Sequence, residues 1–252
     1  MSPRDRAAAL ASLNREVVRC RKCPRLVAWR EEAARSRPRR YAGWDYWARP
    51  VPGFGDPNAR VLVVGLAPAA HGGNRTGRIF TGDRSGDFLF ASLHRAGFAS
   101  QPASEHRDDG LRLYDLYVAA VNRCCPPGNR PTPFERDACL PYLLRELEIL
   151  ADVRVAIALG SFAWDGFLLA QAALGHRVRP KPRFGHGREV VLGPCTLVGC
   201  FHPSQQNTFT GKVTPSMLDD VLARARALAG LAPALRRPVG RARPSRVSTR
   251  AP

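Results

Sequence analysis

The chain has 252 residues, 44% hydrophobic and 24% charged, enough apolar material to bury a full core as one α/β domain or two small ones. No apolar run approaches the ~20 residues a helix needs to span a bilayer, and the first twenty residues lack the apolar core of a signal peptide, so no membrane helix and a cytoplasmic location are expected. Net charge is +18, from 39 basic and 21 acidic residues, which favours a polyanionic partner. Only Lys22, Lys181 and Lys212 are lysines, and genome composition alone can produce such an arginine excess.

Apolar runs then alternate with helix-like segments. Residues 59–68, ARVLVVGLAP, read as a buried strand ending in a Gly/Pro loop, 86–98 as an amphipathic helix, and 113–123 as a second strand. At 132–150 a helix opens on a capping box, with Thr132 as N-cap, Pro133 in the first turn and Glu135 three residues on. A third strand is predicted at 153–160, a helix over the SFAWDGFLLAQAAL stretch that follows, a last strand region at 189–204, and a final helix from Pro215. Strands separated by helices imply a three-layer α/β/α sandwich around a mainly parallel central sheet, with ligands bound beyond the strands' carboxyl ends. The loops at 65–84, 123–132 and 201–212 should therefore share one rim. A single domain is expected over 1–232. Residues 233–252 carry six arginines and no acid and read as a disordered basic tail; removing those six charges from +18 leaves +12 on the rest.

Seven cysteines are present. Cys20 and Cys23 form a C-x2-C pair, and Cys124 or Cys125 is separated from Cys139 by a short Pro/Gly-rich stretch. In a cytoplasmic chain these thiols suit a metal or cluster better than disulfides. Spacing alone does not separate structural zinc from an iron–sulfur cluster, although one C-x2-C plus a widely spaced pair leans towards the cluster. Cys195 and Cys200 read as small core residues.

Four stretches in this order, C-x2-C-P-R-L, GLAPAAHGGNRTGRIFTGDRSGD, RCCPPGNRPTPFERDAC and HPSQQNT, resemble the uracil-DNA glycosylase superfamily, specifically its iron–sulfur family 5. The resemblance runs from about Arg19 to Leu231. Family 4 enzymes share the cysteine layout but carry an acidic residue in the first motif, where this chain has Leu66 and Ala67. The resemblance implies a monofunctional glycosylase that flips a deaminated base, uracil and also hypoxanthine, xanthine or ethenocytosine, out of double-stranded DNA and hydrolyses its N-glycosidic bond. It assigns Asp83 to orient the attacking water and offset the cationic sugar, His202 to donate to the leaving base, and Asn129 to the base edge or the water. Phe80 would stack on the flipped base, with Gly65, Ala67 and His71 lining the pocket. Arg75, Ser204, Gln205 and Lys212 would contact DNA, the 204–214 stretch filling the space the base leaves. Cys20, Cys23, Cys124 and Cys139 would hold a 4Fe-4S cluster, Cys124 being preferred over Cys125 because the match aligns the first cysteine after Arg123. A monomer is expected.

Each residue also has a plainer reading. Taken alone, Asp83 is a helix N-cap before RSGDFLF, Asp87 belongs to that helix's first turn, Asn129 is a turn residue after Gly128, and Phe80 is a core anchor. Two other function classes remain: a non-catalytic DNA- or RNA-binding metalloprotein, and a zinc-dependent hydrolase or deaminase, the latter needing an H-x-E and P-C-x-x-C signature that is absent from the sequence.

Overall fold

The computed structural model describes residues 1–233. Apart from Pro233, the basic tail expected at the C-terminus lies outside the described residues.

Six strands form one sheet in the order β1-β3-β2-β4-β6-β5. Its centre is β2 (Val61–Gly65), β3 (Leu116–Ala120), β4 (Val155–Leu159) and β6 (Cys195–Cys200), mutually parallel, with antiparallel β1 (Phe54–Gly55) and β5 (Glu189–Leu192) at the edges. Every residue of β2, β3 and β4 is buried, as an unbroken apolar run demands when both sheet faces are covered. On one face Val61, Val63, Leu116, Val118, Val155 and Ile157 pack against α4 (Arg84–Arg95) and α8 (Pro215–Leu228). On the other, Leu62, Val64, Tyr117, Ala119, Ala156 and Ala158 pack against α5 (Pro133–Ile149) and α6 (Ser161–Ala173). The expected α/β/α sandwich is therefore present, and the Thr132/Glu135 capping box forms as read.

Three features depart from the sequence reading. The 189–204 region is a hairpin: Gly193, at φ +58, turns the chain, and a Cβ there would meet the His176 ring at 2.5 Å, so β5 runs back antiparallel to β6. The N-terminal segment forms α1 (Pro3–Val18), opened by a Ser2/Asp5 capping box, and α2 (Pro24–Arg35), with Cys23 as its N-cap residue; a single turn, α3 (Gly73–Thr76), follows in the loop after β2. The stretch after His202 is partly helical, α7 (Gln205–Phe209), capped by Ser204 Oγ accepting from the Asn207 N–H.

Candidate active site and thiol cluster

The parallel strands place Gly65, Ala120, Leu159 and Cys200 at one rim, so the three loops expected to share it do so. Phe80 lies in the first loop, after β2. Its φ is +53, uncommon for a residue with a side chain. Two glycines allow that conformation: a Cβ on Gly65 would lie 2.8 Å from Phe80 Cζ, and one on Gly86 only 2.0 Å from the Phe80 carbonyl oxygen. The ring thus lies directly over the end of β2, with its centroid 5.9 Å from that of His202 at a 38° tilt. Gly160 ends β4 at φ +93, and a Cβ there would stand 3.5 Å from His202 Cβ. The structure therefore gathers Gly65, Phe80, Gly160 and His202. Sequence reading missed Gly160, although a glycine between an apolar strand and a helix was a legible signal.

Asp83 fulfils its plain reading and leaves a carboxylate oxygen to spare. It is the N-cap of α4, with Oδ1 accepting from the Gly86 N–H at 2.9 Å. Oδ2 lies over Gly72 so closely that a Cβ there would fall 1.9 Å from it. Burial raises its pKa, the Gly86 N–H opposes that shift, and Asp87, itself in the first turn of α4, adds to it. His202 is half-buried, and desolvation lowers its pKa to about 4.

His71, on the same loop, is half-buried, with Nδ1 3.0 Å from the Tyr46 hydroxyl. Burial, then Arg40 and Arg75, lower its pKa. Ala67 is half-buried just beyond β2. Asn129 is exposed in the Pro127–Asn129 turn at φ +56, with no bond to Asp83 or His202. Gln205 and Lys212 are exposed, and Ser204 half-buried. The expectation that Arg75 contacts DNA is corrected. Only 4% exposed, it donates from Nε to the His71 carbonyl (2.8 Å) and from Nη2 to that of Gly82 (2.6 Å). Its guanidinium lies 4.2 Å from the Tyr41 ring centroid and 3.9 Å from that of Trp44. Arg75 straps the first loop together from inside, because those carbonyls and two aromatic faces satisfy it better than solvent.

A second constellation lies where α1, α2, β3 and α5 meet. Burial, with Cys139 and Cys20 close by, pushes the Cys23 thiol up to about 11; burial pushes Cys124 up to about 12, partly offset by Arg30, with the same two cysteines among its neighbours. Cys139 is raised by burial as well, and it too has Cys20 near it. Cys125 is pushed up to about 12 by burial, and Cys124 is the only cysteine acting on it, which sets it apart from the other four. Arg30 is 2% exposed and donates from Nη1 to Cys124 Sγ (3.0 Å) and to the Cys20 carbonyl (3.3 Å). Its Nε finds no partner, and no carboxylate pairs with it among the described residues. A buried cation needs a nearby anion, and a neutral thiol is a weak acceptor, so this donor set fits anionic sulfur. Among the described residues no three donors converge tightly enough to grip one metal ion. Cys20 acts on Cys23, Cys124 and Cys139, and Cys23 and Cys124 share one small apolar cluster, so the four thiols lie in one neighbourhood, as the ligands of a single group must.

The model for the Uracil DNA glycosylase superfamily matches residues 52–226. The chain is 53% identical over 227 residues to a type-5 uracil-DNA glycosylase of Mycobacterium tuberculosis, covering 89% of this chain and 84% of that one. It is 53% identical over 213 residues to one from Thermus thermophilus, covering 84% and 94%. Identity to a third, from Pyrobaculum aerophilum, is 45% over 215 residues, covering 85% and 91%.

Proposed function

Since the chain belongs to the uracil-DNA glycosylase superfamily and its type-5 branch, we propose that it excises uracil from double-stranded DNA by hydrolysing the N-glycosidic bond, after flipping the nucleotide into the rim of the sheet. The observation that carries this reading is the Phe80–His202 pair over the end of β2, with the half-buried Asp83 carboxylate on the same loop as Phe80. Phe80 stacks on the base. Gly65 and Ala67 keep the floor shallow, and His71 forms the wall.

Bond cleavage develops negative charge on the base and positive charge on the sugar. His202, with a pKa of about 4, is neutral at physiological pH and donates an N–H to a base carbonyl without having to surrender a proton. Asp83 orients the attacking water and offsets the sugar's charge. Asn129, exposed on the neighbouring loop, completes the site when DNA brings the base edge to it. Ser204, Gln205 and Lys212 meet the DNA beside the extruded base. Small residues in the first loop leave room for hypoxanthine, xanthine and ethenocytosine. The protein acts as a cytoplasmic monomer.

Cys20, Cys23, Cys124 and Cys139 hold a 4Fe-4S cluster in this reading. When bound it ties the start of α2 and the 124–139 segment to the sheet, and hydrolysis itself calls for no electron transfer. The chain supplies supports of its own: Arg25 donates from Nε and Nη2 to the Glu135 carboxylate (2.8 and 2.7 Å) and from Nη2 to the Arg130 carbonyl (3.1 Å).

The reading is tested by incubating cluster-replete protein with duplexes carrying uracil, hypoxanthine, xanthine or ethenocytosine and cleaving abasic sites with alkali. Strand cutting at uracil is expected; intact strands on all four duplexes overturn the proposal. The pH dependence is a second expected outcome. His202 loses its proton far below neutrality, whereas Asp83 must be charged and its pKa is raised. Single-turnover excision should therefore fall as pH drops through the raised Asp83 pKa, with no limb belonging to His202 in the range near pH 6.5 where an ordinary histidine titrates. A limb near pH 6.5 that disappears in His202→Asn would contradict the neutral-histidine role.

A further inference from the structure

The segment between α6 and β5 contains Arg177, Arg179, Lys181, Arg183 and Arg188 and no acidic residue. Topology decides where it lies. Helix α6 begins at the rim and descends, and His176 beneath the Gly193 turn marks the opposite end of the sheet. The chain must then climb back, because β5 starts at Glu189, paired with Val198 near the carboxyl end of β6. Pro182 has already reached the first turn of α6, where its carbonyl accepts from Trp164 Nε1 at 3.0 Å.

The upper part is fixed there. Phe184 and His186 both pack on Phe201, the residue before His202, with centroid separations of 6.0 and 5.1 Å. The Phe201 N–H donates to His186 Nδ1 at 3.2 Å, and the Gly187 N–H to the Gly199 carbonyl at 2.7 Å. Gly199 has to be glycine, since a Cβ would lie 2.2 Å from the Gly185 carbonyl oxygen. This aromatic hub holds Arg183 and Arg188 at the rim, exposed and without an ion pair among the described residues. Lys181 differs, being paired with Asp165 at 2.7 Å. The Lys212 ammonium lies 5.1 Å from the Phe201 ring centroid, so three unpaired cations flank one aromatic hub.

We propose that Arg183 and Arg188 form a phosphate-binding site for the DNA backbone, extending the contact surface from the His202 loop along the β5 edge of the sheet. The proposal rests on the glycosylase reading and deepens it. Fixed guanidiniums suit phosphodiester oxygens, which they can grip with paired N–H donors. Such contacts position a duplex without reading its sequence.

The test uses the full, cluster-replete chain as Arg183→Gln/Arg188→Gln, titrated with undamaged duplex and with a duplex carrying a tetrahydrofuran abasic-site analogue at several salt concentrations. Two lost phosphate contacts should flatten the plot of log affinity against log salt by about 1.8, so the affinity lost between about 50 and 200 mM salt shrinks roughly tenfold on both duplexes. Single-turnover excision at saturating DNA should match the parent. Arg112→Gln/Arg154→Gln removes the same charge at the strands' amino-terminal end, just before β3 and β4, and should leave the slope nearly unchanged. An unchanged slope in the first variant, an equal change in the control, or an effect confined to the abasic duplex overturns the proposal. Failure of the parent to excise uracil would instead overturn the glycosylase reading.

Discussion

Replacing Asp83 with Asn is expected to slow uracil excision about 10³-fold while leaving thermal stability close to that of the parent. The residue's two roles separate in this variant. Asn retains an oxygen that can accept from the Gly86 N–H, so the α4 cap survives, whereas the negative charge offered to the water and the sugar is lost. Asp83→Ala should lose both, adding about 1 kcal/mol of destabilisation to the same rate defect. Gly72→Ala probes the carboxylate from the opposite side. A methyl group 1.9 Å from Oδ2 must displace it, so excision should fall although no polar atom has been removed. Denaturation curves and single-turnover rates together decide the matter. An Asp83→Asn protein as fast as the parent would reduce Asp83 to a helix cap.

The largest stability effect is expected at Glu146. Arg123 and Glu146 are fully buried, with side-chain exposures of 1% and 0%, and join through two hydrogen bonds, from Nη1 to Oε1 at 2.9 Å and from Nη2 to Oε2. Removing the carboxylate strands an arginine in the core next to Cys124. Glu146→Ala should therefore cost about 3–5 kcal/mol, a fall of roughly 10 °C in Tm. Arg123→Met/Glu146→Leu, which removes both charges, should recover much of that loss, because the penalty belongs to the unpaired ion. A Glu146→Ala protein within about 1 kcal/mol of the parent would show that water or a rearranged neighbour compensates Arg123.

Much of this molecule was legible from local signals. The apolar runs at 61–65, 116–120 and 155–159 could be stable only as strands covered on both faces, and the spacing of Thr132, Pro133 and Glu135 encodes a helix start whatever surrounds it. The motif stretches named the family, and parallel strand connections obliged their loops to share a rim. The plain and the catalytic readings of Asp83 turned out not to compete, since one oxygen caps α4 and the other faces Gly72. Asn129 differs: its motif position assigns a role, yet its side chain stands exposed and bonds to neither Asp83 nor His202, because the partner that would bring them together is not part of the chain.

Sequence by itself determined the elements that depend on neighbours a few residues away: strand runs, helix caps, and the order of cysteines and motif loops. Only the tertiary structure decided which charges are used internally and which face outward. Arg75 and Arg183 are indistinguishable by residue type, but Arg75 is held between two rings and two carbonyls, whereas Arg183 remains exposed at the rim. Arg30 owes its place to the fold: it is buried beside Cys124 and pairs with no carboxylate among the described residues. The physical reason is common to all three. An arginine's role is set by the acceptors and solvent around its guanidinium, and these come from chain segments that sequence order does not bring together.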